Sequence, residues 1–207
     1  SLRRQRQMCI RDSFDDFTKK QLDTFTRVAA ELEAGLEYKV IKHILNSAGI
    51  ERFTDYQMDM VRLGIGLYGV SASGQKGLRN ISTLKTTILQ IQNVPAGDSI
   101  GYSRMSYVKR DSRIAIIPIG YADGLDRHFS NGGGEVVING HRCPIIGNIC
   151  MDACMIDVTD TDAHEGDSVI IFGEELPVSE LSDKLTHIPY EILTSISPRV
   201  KRVYYRE

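Results

Sequence analysis

A chain of 207 residues, 42% hydrophobic and 25% charged, is long enough to bury a core and to form one or two domains. Its formal net charge of −2 leaves no basic footprint for nucleic acid, and no run approaches the ~18 apolar residues that a membrane span requires. The basic N-terminus is not followed by an apolar stretch, so no signal peptide is read there. The four cysteines, Cys9, Cys143, Cys150 and Cys154, show no C-x-x-C spacing. Cys150 and Cys154 supply at most half of a metal site, so the expectation is structural thiols in a reducing cytoplasm and no metal.

Residues 1–13, S-L-R-R-Q-R-Q-M-C-I-R-D-S, carry four arginines against one aspartate without usable periodicity. They resemble the translated read-through of a sequencing adapter and are set aside as non-native, with the true N-terminal part of the protein then missing. Ser13, with Asp16 three residues on, starts a helix in which Phe14, Phe17, Phe25, Val28, Ala29 and Leu32 recur at helical spacing. Gly35 fits its stop. Residues 38–44 read as a strand, 46–49 as a loop, 54–60 as a short helix capped by Thr54, and 61–68 as a buried strand weakened by two glycines. That rhythm is one of parallel α/β units, and two strands cannot close an eight-stranded barrel alone.

A turn-rich stretch at 71–80 marks the expected domain boundary. Beyond it, residues 83–94, 113–121, 135–138, 141–146, 154–158 and 168–172 read as strands, with Asn139-Gly140 as a hairpin turn. Residues 177–185 and 190–196 read as short helices, and 199–205 as a closing strand. The expected fold class is α/β plus β, ending in a compact, mostly antiparallel β domain or barrel.

Five stretches carry candidate chemistry. In H-I-L-N-S-A, Ser47 follows a strand, where exposed amides bind phosphate; the plain alternative is a loop serine bonding its own backbone. In M-V-R-L-G-I-G-L-Y-G, Arg62 lies in an apolar run, where it needs a partner or a ligand unless it sits at an edge in water. Gly64 and Gly66 there permit close backbone approach. I-G-Y-S-R places Tyr102 after a turn, as a catalytic acid/base or as surface decoration. P-I-G-Y-A-D-G and G-N-I-C-M-D each leave an apolar strand for glycine-rich polar backbone.

Together, in this order and spacing, these motifs resemble the alanine racemases, from about Phe14 to Glu207. The resemblance implies an N-terminal (β/α)8 TIM-type barrel followed by a C-terminal β domain. Residues 14–72 would be the last part of the barrel and 78–207 the whole β domain. It implies pyridoxal phosphate as cofactor, L- and D-alanine as substrates, and a homodimer sharing its active sites, with D-alanine supplied to peptidoglycan. Ser47 and the amides of Gly64 and Ile65 would bind the cofactor phosphate. Arg62 would face the pyridine nitrogen, with His43 supporting it. A guanidinium only donates, so that nitrogen stays unprotonated and a Cα carbanion is reprotonated quickly, which suits racemisation.

Racemisation needs acid/bases on opposite faces of Cα. The resemblance assigns one to Tyr102, acting in the neighbouring subunit's site, and the other to the cofactor lysine. The context of that lysine is not found in this sequence, so the chain alone is expected to be inactive. Met151, after Cys150, would meet the substrate carboxylate with its amide, and Tyr121 would line the way in. The sequence departs from the family at Pro198, where many members carry a phosphate-touching tyrosine, and at Asn148, where arginine is common. A racemase of serine or another small amino acid, and an inert fragment or β-domain interaction module, stand as alternatives.

Overall fold

The computed structural model describes residues 15–74, 77–104 and 106–205. The adapter-like stretch 1–13 therefore lies outside the described residues, as do Ser13 and Phe14. The chain divides into two compact units that part between Arg79 and Asn80.

The first unit opens with helix α1 (Asp15–Ala34), closed where the Gly35 and Leu36 amides bond back to Leu32 and Glu33. Its buried face is not the stripe expected. Thr18 and Leu22 are buried, with Phe25 packed beside them, whereas Phe17, Val28 and Leu32 are exposed. Leu22 packs on Ile44 and Leu45, around which Ile50, Phe53, Tyr56 and Val61 gather.

Residues 38–44 and 61–68 were both expected as strands, and neither is one. The stretch 39–46 has no regular structure and forms no ladder. The Asp59 amide bonds the Lys42 carbonyl, and three residues on the Arg62 amide bonds that of Leu45. Because both partners advance in the same direction, the two segments run parallel, with two isolated bonds in place of a sheet. After them the chain coils into a 3-10 turn, Ile65–Tyr68, ended by Gly69 at φ 76°. Helix α2 (Ser47–Arg52) follows the first segment, and the helix expected at 54–60 shrinks to one 3-10 turn, Thr54–Tyr56.

The second unit is built on β1 (Leu84–Thr87), β2 (Gln90–Val94), β3 (Ser99–Ile100), β4 (Ser106–Tyr107), β5 (Ser112–Ile117), β6 (Glu135–Ile138), β7 (His141–Ile146), β8 (Cys154–Asp157) and β9 (Ser168–Phe172). Two helices follow, α3 (Val178–Leu185) and α4 (Pro189–Ser195). Seven strands form one antiparallel sheet in the order β1-β9-β6-β7-β8-β5-β2, and β3 pairs with β4.

The sheet's two end strands are consecutive in the chain. The Ile88 amide still bonds the Asp167 carbonyl beside β9, while the next amide, Leu89, bonds Ile116 of β5. The stretch 83–94, expected as one strand, is thus divided between two neighbours, and the sheet curls so that a two-residue step joins its edges. The bend is helped at β7. Its first residues pair with β6 as far as Pro144, and Ile145 and Ile146 then pair with β8. Proline cannot donate to a ladder, so it sits where the pairing changes hands.

Asn139 and Gly140 both have positive φ, 49° and 77°, the geometry of a two-residue hairpin turn matched to strand twist. Val136, Ile138, Ile145, Ile156, Val158, Val169 and Leu176 fill the core and are fully buried. In α3, Val178, Leu181 and Ser182 face inward at helical spacing. The closing strand expected at 199–205 does not form: residues 201–205 have no regular structure, and Tyr204 and Tyr205 are exposed.

Candidate active site

Each unit gathers its own set of the expected residues. In the first, Asn46 caps α2 by accepting the Gly49 amide at 3.0 Å, which fixes Ser47 at the helix start. Ser47 is buried, and its Oγ accepts the amides of Gly64 at 2.9 Å and Gly66 at 3.4 Å. Two backbone donors thus converge on one hydroxyl where the two parallel segments end. Ile65, between these two donors, is buried in the first turn. A Cβ on Gly66 would stand 3.7 Å from Ser47 Oγ and 3.0 Å from a Leu63 methyl, narrowing the same space.

Arg62 is exposed, and its Nη2 donates to the Ile44 carbonyl at 2.8 Å. That bond restrains the guanidinium and leaves its other N–H groups to point elsewhere. His43 Nδ1 is buried without a hydrogen-bond partner. An orphaned buried nitrogen is costly, and such atoms concentrate at functional sites. Glu51 on α2 secures the chain beyond the 3-10 turn, accepting from Ser71 Oγ at 2.7 Å and from the Ala72 and Ser73 amides. Partial burial opposes its charge, yet the Ser71 and Ser73 hydroxyls and the two amides hold its carboxyl below the usual range.

In the second unit, Tyr102 lies in a 3-10 turn, Tyr102–Arg104, between β3 and β4, and is 74% exposed. Gly101 takes φ 74°, a conformation that side-chain-bearing residues rarely adopt, with the Gly147–Asn148 backbone beside it. Tyr121 opens the turn after β5, with the Arg127 guanidinium 6.0 Å from its ring centre. Its amide donates to the Cys150 carbonyl at 3.0 Å, and the Ala122 amide to that of Met151 at 3.1 Å. A Cβ on Gly120 would collide with both carbonyls, so glycine is required for this contact. Tyr121 and Met151 are exposed and Cys150 is half-buried.

Burial pushes the thiols of Cys143 and Cys154 up to about 11 and about 12, which keeps them protonated and inert. Among the described residues no group of three or more His, Cys, Asp or Glu could hold a metal ion. No helix among them is long and apolar enough to cross a membrane.

Sequence reasoning missed the polar bridge from Asn148 to the Tyr102 turn and the ion pairs of Arg199, described below. Both join residues more than 40 positions apart, and no local pattern signals them.

Two family models match the chain: "Alanine racemase, N-terminal domain" over residues 7–72 and "Alanine racemase, C-terminal domain" over residues 81–204. The chain is 42% identical over 199 residues to alanine racemase 1 of Caldanaerobacter subterraneus subsp. tengcongensis, covering 92% of this chain and 51% of that protein. It is 39% identical over 202 residues to alanine racemase of Clostridium tetani, covering 92% and 52%. The chain thus spans about half the length of the curated relatives it matches. Among solved structures, it superposes with a TM-score of 0.85 on the Bartonella henselae alanine racemase with covalently bound pyridoxal phosphate, at 38% identity over 94% of this chain and 54% of that one. The Bacillus anthracis enzyme with bound L-Ala-P gives 0.87 at 32% identity, covering 96% and 53%.

Proposed function

The chain belongs to the alanine racemase family, and from that premise we propose that it is the carboxyl-terminal portion of a pyridoxal-phosphate-dependent racemase interconverting L- and D-alanine. Residues 14–72 are then the last part of its TIM-type barrel and 78–207 its β domain. The parent enzyme is cytoplasmic, works as a homodimer and supplies D-alanine for peptidoglycan.

The observation that carries this reading is the cradle at Ser47. A buried hydroxyl with the amides of Gly64 and Gly66 converging on it is a donor-rich arrangement of the kind that a phosphate group takes. When bound, pyridoxal phosphate supplies an electron sink that acidifies the Cα proton of an amino acid. Ser47 and the amides of Gly64, Ile65 and Gly66 would hold its phosphate. Arg62, tethered by Ile44, would face the ring nitrogen, where a guanidinium can only donate and so would keep it unprotonated, and His43 would back it. Tyr102 carries a proton on one face of Cα; its exposure suits a side chain that reaches into a neighbouring subunit. The Met151 amide, with Cys150 beside it, orients the substrate carboxylate, and Tyr121 lines the approach.

The test is a chiral assay of the full-length, cofactor-loaded protein with L-alanine. D-alanine should accumulate until the two enantiomers are equal. Tyr102→Phe should abolish turnover from one enantiomer and leave cofactor absorbance intact. Absence of D-alanine, or near-normal racemisation by the variant, would overturn the proposal.

A further inference from the structure

Two loops that the proposed reaction needs on the substrate side, the Tyr121 turn and the Cys150–Met151 segment, arise from different strands. Their backbones touch through the two amide bonds given above. A third segment, from the C-terminal end of α4, closes over them. Arg199 Nε donates to Asp123 Oδ1 at 2.7 Å, and its Nη2 donates to Asp152 Oδ1 at 2.6 Å. Asp123 ends the Tyr121 turn, and Asp152 follows Met151 directly.

Asp123 is itself well seated. Its side chain is only 13% exposed, its Oδ2 accepts the Gly120 amide at 2.9 Å, and its carbonyl accepts the Ser197 amide at 3.0 Å. Ser195 Oγ adds a bond of 3.1 Å to the Gly124 carbonyl. A side chain on Gly124 would collide with the Ser195 backbone, so the α4 exit lies against the turn with no gap. Only a planar fork with several fixed donors spans two carboxylates on two loops in this way.

We propose that Arg199 is a positioning residue that locks the Tyr121 turn onto the Met151 segment, and so sets the register between the side chain that lines the approach and the amide that receives the substrate carboxylate. The effect on substrate rests on the racemase reading above; the clamp itself does not. Arg199 touches neither substrate nor cofactor and acts through the two loops it joins. Its consequence belongs to substrate binding, because a small displacement of an orienting amide weakens capture of the carboxylate.

Hydrogen exchange and steady-state kinetics on the full-length protein test this. In Arg199→Met, the Tyr121 and Ala122 amides should exchange about tenfold faster or more, while the Val136 and Ile156 amides of the sheet stay slow. The KM for alanine should rise about tenfold with kcat changed less than about threefold. Arg199→Lys should recover only part of the loss. Asp152→Asn, isosteric and on a largely exposed side chain, should show an intermediate effect and add nothing in the Arg199→Met background.

Unchanged exchange at Tyr121 and Ala122, or an unchanged KM in an active enzyme, would overturn the clamp. So would exchange that rises equally at Val136 and Ile156, since Arg199 would then serve the fold at large. Should the parent enzyme fail to racemise alanine while Arg199→Met still frees the two amides, the clamp is upheld and only the racemase reading falls.

Discussion

Asn148 Nδ2 donates to the carbonyl oxygen of Tyr102 at 3.4 Å, across 46 residues of chain. Asn148 Oδ1 in turn accepts from Asn131 Nδ2 at 3.1 Å, and Asn131 Oδ1 accepts from Ser106 Oγ at 2.5 Å. Two neutral amides in series, Asn148 and Asn131, thus bridge both ends of the turn that carries the proposed proton carrier. The family's common arginine would place a charge there. Tyr102 is largely exposed, so backbone contacts hold it more than side-chain packing does.

Removing that bridge should loosen the turn without unfolding the domain. Asn148→Ala forfeits a neutral hydrogen bond worth about 0.5–1.5 kcal/mol. In the full-length enzyme kcat should fall about three- to tenfold, with Tm lowered by only a few degrees. A variant with unchanged kcat would show that the bridge does not govern Tyr102.

The phosphate cradle makes a separate prediction. Gly66→Ala puts a methyl 3.7 Å from Ser47 Oγ and tight against Leu63. Pyridoxal phosphate should then bind about tenfold or more weakly, equivalent to ~1.4 kcal/mol. Cofactor titration followed by absorbance measures this. Wild-type affinity in the variant would remove Gly66 from the site. Ser47→Ala should weaken binding in the same direction.

What was legible in the sequence follows from where each element finds its partners. Strands β6, β7 and β9 matched their expected ranges because a two-residue turn or short flanking turns bound short apolar runs. Their burial is written in their own residues, alternating in part of β7 and nearly continuous in β6 and β9. Residues 38–44 and 61–68 have the composition of parallel strands, but a parallel strand is made by its neighbours. In the described residues these two touch through isolated bonds only. Residues 199–205 alternate well enough for a strand, yet Arg199 is drawn to two aspartates and Arg202 Nη2 bonds the Ile196 carbonyl, which bends the chain back on itself. The candidate site was legible as motifs. Its internal wiring was not, since Arg199–Asp152 and Asn148–Tyr102 depend on how distant loops fold together.

Thr186 ends α3 in the left-handed region at φ 56°, with its amide bonded to Asp183 and Ser182. A β-branched residue is strained there, whereas glycine is at ease. Thr186→Gly should stabilise the β domain by about 1 kcal/mol, less whatever glycine loses to chain entropy. Thermal unfolding measures the change. A lower Tm would mean that the Thr186 hydroxyl, which bonds the Leu185 carbonyl at 2.6 Å, outweighs the backbone strain.

Acid should open the Arg199 clamp before it unfolds the sheet. Burial raises the cost of charge on Asp123, but the Arg199 hydrogen bond, the Gly120 amide and the Arg199 charge outweigh it and hold the carboxyl below its ordinary value of 3.8. A carboxylate with a depressed folded-state value stabilises the fold fully above its unfolded value. That stabilisation fades as pH falls through the folded value, because the proton then binds a carboxyl that folding wants charged. The window therefore lies at and below about pH 4. Asp126, Glu135 and Glu180 are shifted the same way, so Tm of the wild type should fall across that range for several reasons at once. The share belonging to the clamp is isolated by Asp123→Asn. This variant should start with a lower Tm at pH 7 and lose less between pH 5 and 3 than the wild type. In the wild type, exchange at the Tyr121 and Ala122 amides, corrected for intrinsic rates, should quicken over that same interval ahead of Val136 and Ile156. Parallel Tm curves for variant and wild type would show that Asp123 carries no linked proton.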